Sequence, residues 1–196
     1  MHRMENTNTP SVQKKLLDAT ERLIYAGGIC ATGMDAIVKA SGVARKTIYR
    51  YFGTKDGLVA EALRARDQRW MAWFIGESCR AAPGASRLLA TFDVLTQWFA
   101  TPDFRGCAFI NAAGETADAA DPIRLVAKQH KLALRGFLRQ LATEYGAADP
   151  DALADALLIL VDGAITVALV TGDTEAASKA QRIARSLLKP APTLPH

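Results

Sequence analysis

The segment Met34 to Leu58, MDAIVKASGVARKTIYRYFGTKDGL, constrains the fold more than any other stretch of the chain. It sets two short helical patterns, Met34 to Ala40 and Ala44 to Tyr51, on either side of the turn Ser41-Gly42-Val43. A helix-turn-helix needs a glycine near the turn, a small or apolar residue four positions before it, and apolar positions that lock two short helices at a steep angle. Gly42, Val38, Ile37, Val43 and Ile48 fill those places. In the second helix, Ile48 and Phe52 point to the core, while Arg45, Lys46, Tyr49 and Arg50 share the other side. That outward face is cationic and aromatic.

The distribution of charge singles out the same region. The formal charge of +4 is confined to one block of the chain. Between Ser11 and Leu58 stand eight cations (Lys14, Lys15, Arg22, Lys39, Arg45, Lys46, Arg50, Lys55) against four acids (Asp18, Glu21, Asp35, Asp56), whereas from Val59 onward fifteen cations meet fifteen acids. An anionic partner for the N-terminal part follows. A helix-turn-helix lays its second helix in a DNA major groove with the N-terminal half on the bases. Arg45 and Lys46 are then the candidates for base edges, and the Arg45 fork matches O6 and N7 of a guanine. Thr47, Tyr49, Tyr51 and Lys55 are placed for phosphates. Lys55 also stands at the start of the next helix, where free amides and the helix dipole favour a phosphate.

The rest of the chain keeps helical spacing and shows no useful β-alternation, so the class is all-α, with about nine helices. Thr9-Pro10 offers a hydroxyl cap and a proline at the first helical position, followed by a stripe of Val12, Leu16, Ala19, Leu23 and Ile24 that ends at Gly27-Gly28. Thr54 caps a long fourth helix that stops at Ala82-Pro83-Gly84. A fifth spans Ser86 to Phe99, and a short segment rich in small residues runs from Arg105 to Ala117. Asp121-Pro122 opens a seventh helix to about Tyr145, Asp149-Pro150 an eighth to about Thr171, and Thr174 to Lys189 is the ninth. The expected organisation is a flexible tail over 1–10, a helix-turn-helix domain over 11–57, a helical domain over 58–189, and a loose tail over 190–196 that contains Pro190, Pro192 and Pro195.

Helices eight and nine are apolar around more than one face, and such helices must be buried on several sides. Leu157, Leu160, Val161, Ala164, Ile165, Ala168, Ala180, Ile183, Ala184 and Leu187 are the residues expected at a homodimer interface across a two-fold axis. An ordinary internal helical hairpin is the plainer account of the same pattern.

Several classes are disfavoured. Cys30, Cys79 and Cys107 are odd in number and widely spaced, which fits neither a disulfide framework nor a zinc site, and a reducing cytoplasm suits them. The N-terminus has no basic stretch followed by an apolar run. The apolar segment Ala156 to Val170 is interrupted by Asp162 and is too short for a bilayer span, so no membrane partner is expected. His130 is the one internal histidine, and no G-x-S-x-G, Walker loop, dinucleotide fingerprint or H-E-x-x-H occurs, so neither an enzyme, nor a metal site, nor a cofactor is expected.

The apolar first helix ending in glycine, Ala31-Thr32, the Ser41-Gly42-Val43 turn, the run Thr47-Ile48-Tyr49-x-Tyr51-Phe52 and Lys55-Asp56-x-Leu58 together resemble the N-terminal domain of the TetR family of transcriptional regulators. The likeness is close over residues 12–63, and beyond them only length and helical layout match. It implies that Thr32, Thr47, Tyr49, Tyr51 and Lys55 contact operator phosphates while Arg45 and Lys46 approach bases, with Arg50 on the same face. Gly33, Val38, Ala44 and Gly57 depart from the family's frequent Thr, Ala, Ser and Glu. The resemblance further implies a ligand-binding and dimerisation role for 58–189, with a pocket enclosed by helices four to eight. Trp70, Trp73, Phe74, Trp98, Phe99, Cys107, Phe109, Asn111 and His130 are the residues proposed to line it, with Glu115 and Gln129 as further polar candidates, around a small, mainly apolar effector. The run from Arg105 to Glu115 is similar to a G-C-x-x-x-N-x-x-x-E pattern of such domains.

The expected function is a ligand-responsive repressor on a palindromic double-stranded operator. The alternatives are a ligand-independent DNA-binding or interaction protein, and a thiol-based electrophile sensor acting through Cys107.

Overall fold

The computed structural model describes residues 11–188, and the tails expected over 1–10 and 190–196 lie outside them. Among the described residues there are nine helices and no strand: α1 (Val12–Gly27), α2 (Met34–Ser41), α3 (Arg45–Phe52), α4 (Lys55–Ser78), α5 (Ala85–Phe99), α6 (Ala108–Gly114), α7 (Pro122–Tyr145), α8 (Pro150–Thr171) and α9 (Ala176–Leu187). The all-α expectation holds.

Most helix ends are written in local chemistry. Thr54 Oγ1 accepts the Gly57 N–H at 2.9 Å, Asp121 Oδ1 that of Ile123 at 2.7 Å, and Asp149 Oδ1 that of Ala152 at 3.0 Å, each satisfying an otherwise bare donor at a helix start. The start of α1 differs from the expectation. Ser11 is its N-cap, with Oγ accepting the Lys14 N–H at 3.1 Å, and the Thr9-Pro10 pair lies outside the described residues. Val12 is half exposed, so the buried stripe begins one turn later, at Leu16.

The chain divides into two compact units, one comprising residues up to Arg66 with Phe109–Ala127, the other Asp67–Ala108 with Lys128 onward. In the first, Leu16, Ile37, Val43, Ile48 and Leu58 form the core, flanked by Leu17, Leu23, Met34, Val38 and Phe52. Each such aliphatic side chain stabilises the unit by about 1.5–3 kcal/mol on full burial. Arg66 joins α4 to α1: its guanidinium donates to Glu21 at 2.8 Å and lies 3.8 Å over the Tyr25 ring.

In the second unit α9 packs on α5 and α8. Ala176, Ala177, Ala180 and Ala184 are buried on α9, facing an α5 that buries Leu88, Leu89, Phe92, Leu95 and Phe99. Small side chains let the backbones approach, and Gln181 Nε2 reaches across to Leu89 C=O at 2.9 Å and Asp93 Oδ1 at 2.7 Å. Helix α8 corrects one expectation. Because it starts at Pro150, its 22 residues, with a mean hydropathy of 2.2 over the most apolar window, are long and apolar enough to cross a membrane by length and composition. Its inner face, Ala154, Leu157, Val161, Ala164, Ile165 and Ala168, is core, and Asp162 receives the Lys131 ammonium at 2.6 Å.

Candidate nucleic-acid interface

The turn between α2 and α3 depends on Gly42, whose φ of 69° lies in the left-handed region that a β-carbon disfavours. Its N–H closes α2 on the Val38 C=O at 2.9 Å, and Ser41 Oγ accepts the Val43 N–H at 3.2 Å. The chain re-enters a helix after Ala44, with Ile48 wholly buried beneath. Neither Gly33 nor Ala44 supplies a side-chain cap, so the first amides of α2 and α3 carry no hydroxyl or carboxylate.

Burying Ile48 turns the opposite face of α3 outward. Arg45, Lys46, Tyr49, Arg50 and Tyr51 are all exposed, and Thr47 is half-buried. The Arg50 guanidinium sits 5.1 Å from the centre of the Tyr51 ring, so these two side chains form one amphipathic surface. Arg45 is bound to the carboxylate of Asp35 on α2.

Two of the residues assigned to phosphates are already engaged. Thr32 is buried, and its hydroxyl donates to Gly28 C=O at 2.6 Å, so its single proton is in use. Lys55 donates to Ile29 C=O at 2.7 Å and keeps two further N–H donors. Both bonds end on the connection between α1 and α2.

Glu115, which the sequence offered only as a polar pocket candidate, stands instead on the other side of that connection. Glu115, just beyond α6, accepts the Ile29 N–H on Oε1 at 2.9 Å and the Cys30 N–H on Oε2 at 2.8 Å. Partial burial would raise its carboxyl, but the amides of Cys30 and Ile29, the Cys30 thiol and the Lys55 charge outweigh it and hold the carboxyl below the usual range. The same carboxylate pushes the Cys30 thiol up, first through their hydrogen bond. The one available signal was the spacing G-C-x-x-x-N-x-x-x-E, which places Glu115 but does not say what it touches.

The second unit holds seven of the residues proposed for a pocket, six of them in one aromatic cluster. Trp70 stacks on Phe74 (centroids 4.8 Å apart, planes 11° apart) and meets Trp98, His130 and Trp73 edge-on at 5.5, 5.3 and 6.2 Å. Phe99 adjoins Trp98, and Phe104 and Phe137 extend the cluster. The Trp70 Nε1 is buried with no hydrogen-bond partner. His130 Nδ1 lies 2.7 Å from Asp67 Oδ1, yet burial dominates and lowers the imidazole to about 4, so at neutral pH it is uncharged and Nδ1–H is the donor. Cys107 is buried in the same unit, with the Lys131 ammonium 3.5 Å from Sγ. Phe109, buried, and Asn111, exposed, belong instead to the first unit. No cluster of three or more potential metal-ligating side chains occurs among the described residues.

Of the ten residues expected at a subunit interface, Leu157, Val161, Ala164, Ile165, Ala168, Ala180 and Ala184 are buried within the chain, Leu160 is half-buried, and Ile183 and Leu187 are exposed. Ile159, Val167 and Val170 on α8 are also exposed.

Comparison with known proteins bears on both parts. Residues 16–62 match the family model described as bacterial regulatory proteins, tetR family, and residues 84–184 match that of the tetracyclin repressor-like C-terminal domain. The HTH-type transcriptional regulator YjdC of Escherichia coli is 23% identical over 180 residues, covering 90% of this chain and 93% of YjdC. Among solved structures, a TetR-family transcriptional regulator from Streptomyces coelicolor superposes with a TM-score of 0.81 at 28% identity, covering 90% of this chain and 94% of that one. A Streptomyces avermitilis protein assigned to the same regulators gives 0.79 at 31% identity, covering 90% and 99%.

Proposed function

The chain belongs to the TetR family of DNA-binding transcriptional regulators, and on that premise we propose that it is a repressor that grips a palindromic operator as a homodimer and releases it when a small, mainly apolar effector binds. The observation that carries the reading is the exposed Arg45–Tyr51 face of α3, held rigid by the buried Ile48 beneath it. Arg45 and Lys46 are assigned to base edges; Thr47, Tyr49, Arg50, Tyr51, Lys55 and, once its internal bond is exchanged, Thr32 are assigned to phosphates. Residues 11–57 act as the DNA-binding domain and 58–189 as the effector and dimerisation domain.

The dimer is supported by the apolar stripe left outward on α8. Ile159, Val167 and Val170 recur at helical spacing around Gly163, and Ile183 and Leu187 on α9 add two more exposed aliphatic side chains. A second copy covers such a stripe most simply, and two-fold pairing presents two α3 helices to major grooves about one helical turn, roughly 34 Å, apart.

The effector is supported by the aromatic cluster around Trp70. Its orphaned Nε1–H calls for a hydrogen-bond acceptor on an otherwise flat apolar ligand. Differential affinity for the DNA-competent and incompetent forms then shifts the dimer off its operator. A protein that acts on chromosomal DNA in this way works in the cytoplasm. Thiol sensing at Cys107 is the second reading, favoured by the Lys131 ammonium beside Sγ and opposed by the burial of that sulfur.

A gel-shift titration of the intergenic DNA flanking the gene, followed by a screen of aromatic and apolar compounds for release, tests the proposal. Release by such a compound, weakened in Trp70→Phe, supports it. Binding that no compound reverses returns the ligand-independent alternative.

A further inference from the structure

The connection from Gly28 to Thr32 is held by several polar contacts. The Gly28 N–H closes α1 on Ile24 C=O at 2.9 Å, and its own C=O accepts the Thr32 hydroxyl. The Ile29 C=O takes the Lys55 ammonium and, at 3.2 Å, the Thr32 N–H. Two further amides, those of Ile29 and Cys30, are both given to Glu115, which lies more than eighty residues away in sequence. The backbone is shaped to this carboxylate. Gly28 has a φ of 89°, and a β-carbon there would stand 3.1 Å from Glu115 Oε1 and 3.2 Å from Oε2, so no larger residue fits without moving the acid. The segment carrying Glu115 is pinned on both sides of it, because Arg124 Nη1 donates to Ala113 C=O at 2.8 Å and to Thr116 C=O at 3.2 Å.

We infer that Glu115 is a positioning residue for DNA binding: by holding the Ile29 and Cys30 amides it fixes the α1–α2 connection on which Lys55 and Thr32 are anchored. The inference rests on the reading of α2 and α3 as the DNA reader. Ile29 is gripped from opposite sides, its N–H by Glu115 and its C=O by Lys55. Removing the carboxylate bares two amides and leaves Lys55 attached to a peptide that is no longer held. The hydrogen bonds of the acid end on the connection, and its charge also acts directly on Lys55, where its loss by itself favours phosphate and opposes the loss of positioning. It is also an exposed residue outside the buried core, so its loss acts on the connection more than on global stability.

The test compares wild type, Glu115→Ala, Glu115→Gln and Gly28→Ala in the full-length protein. Glutamine keeps one acceptor and turns an N–H₂ group toward a backbone N–H, so it substitutes poorly. Two measurements are made. Amide hydrogen exchange in the free protein is expected to quicken roughly tenfold or more at Ile29 and Cys30 in the Glu115 variants, with Leu16 and Ile48 unchanged. Fluorescence anisotropy on the flanking intergenic duplex is expected to show affinity reduced roughly tenfold, with helicity and oligomeric state retained. Lys55→Met costs less in the Glu115→Ala background than in wild type, since the two act through one peptide. Gly28→Ala lowers affinity as well, and because its positive φ strains an alanine whatever its neighbour, part of that loss persists in the Glu115→Ala background.

Unchanged exchange at Ile29 and Cys30, unchanged affinity in Glu115→Ala, or additive losses with Lys55→Met each overturn the inference. So does an affinity loss that tracks a uniform rise in exchange across the protein, because that is plain destabilisation. If wild type fails to bind the duplex, the reading of α2 and α3 falls and takes the inference with it. Wild-type binding with an indifferent Glu115→Ala overturns the inference alone.

Discussion

The guanidinium of Arg45, the first residue of α3, is bound to the carboxylate of Asp35, near the start of α2. Both side chains are exposed, Asp35 almost completely, so the pair contributes only about 0–1 kcal/mol to stability. Its consequence lies in binding. On the proposed reading of α3, a carboxylate beside its leading arginine repels phosphate and competes for the guanidinium until DNA displaces it.

Asp35→Asn is therefore expected to leave the melting temperature within a degree or two while strengthening binding to random-sequence duplex roughly three- to tenfold at low salt. Anisotropy titrations against unrelated competitor DNA measure this, and the gain shrinks as salt is raised. Equal affinities at low salt contradict the role given to Asp35.

Ile48 is wholly buried in one core with Leu16, Ile37, Val43 and Leu58. Ile48→Ala removes three carbons from that core and is expected to cost about 2–5 kcal/mol, read from urea unfolding by circular dichroism. The same variant loses DNA affinity, because α3 has no other fully buried anchor. A loss under 1 kcal/mol means the small core repacks.

On α8, Val167→Glu and Val170→Glu place charges on the outward apolar stripe without entering the core of the unit. Sedimentation should then find a monomer in place of a dimer, with operator affinity lost and helicity kept. A dimer that survives both changes points to a different face.

Acid should weaken the fold through His130. The unfolded imidazole titrates near 6.5, while burial lowers it to about 4 in the folded chain, against the opposing pull of the Asp67 hydrogen bond. Between those values the unfolded chain holds a proton that the native one does not. Stability contributed by the neutral histidine is thus complete above about pH 6.5 and is lost as pH falls towards 4. Glu115, Asp151, Asp155 and Asp173, all held low, give up their contributions mainly below about pH 5, so the interval from 5 to 7 isolates His130. Melting temperatures across that interval should fall in wild type and stay nearly flat in His130→Gln. Parallel curves count against the assignment.

What the sequence revealed is what local chemistry decides. Gly42 between two apolar-spaced segments, Thr54, Asp121 and Asp149 before helices, and Ile48 opposite a cationic face all act within a few residues, so the helices and the outward cationic face of α3 could be read directly. Ser11 caps α1 by the same local rule that pointed to a hydroxyl at its start. The bond from Glu115 to Ile29 was invisible, since periodicity carries no information on which distant segments meet. The same holds for Asp35 and Arg45. Helix α8 is apolar on two sides, and pattern alone does not say which side faces α9; the structure commits Leu157, Val161 and Ala164 to the interior and leaves Ile159, Val167 and Val170 outside.

The central claim is that α3 reads DNA, and the most direct test is the affinity of wild type, Arg45→Ala and Tyr49→Phe for the flanking intergenic duplex, titrated at several salt concentrations. The account predicts tight wild-type binding whose logarithm falls steeply and linearly with log salt, a loss of about 1–3 kcal/mol with relaxed sequence preference in Arg45→Ala, and a smaller, sequence-independent loss in Tyr49→Phe. Affinities equal to wild type in both variants would show that this helix does not touch the DNA.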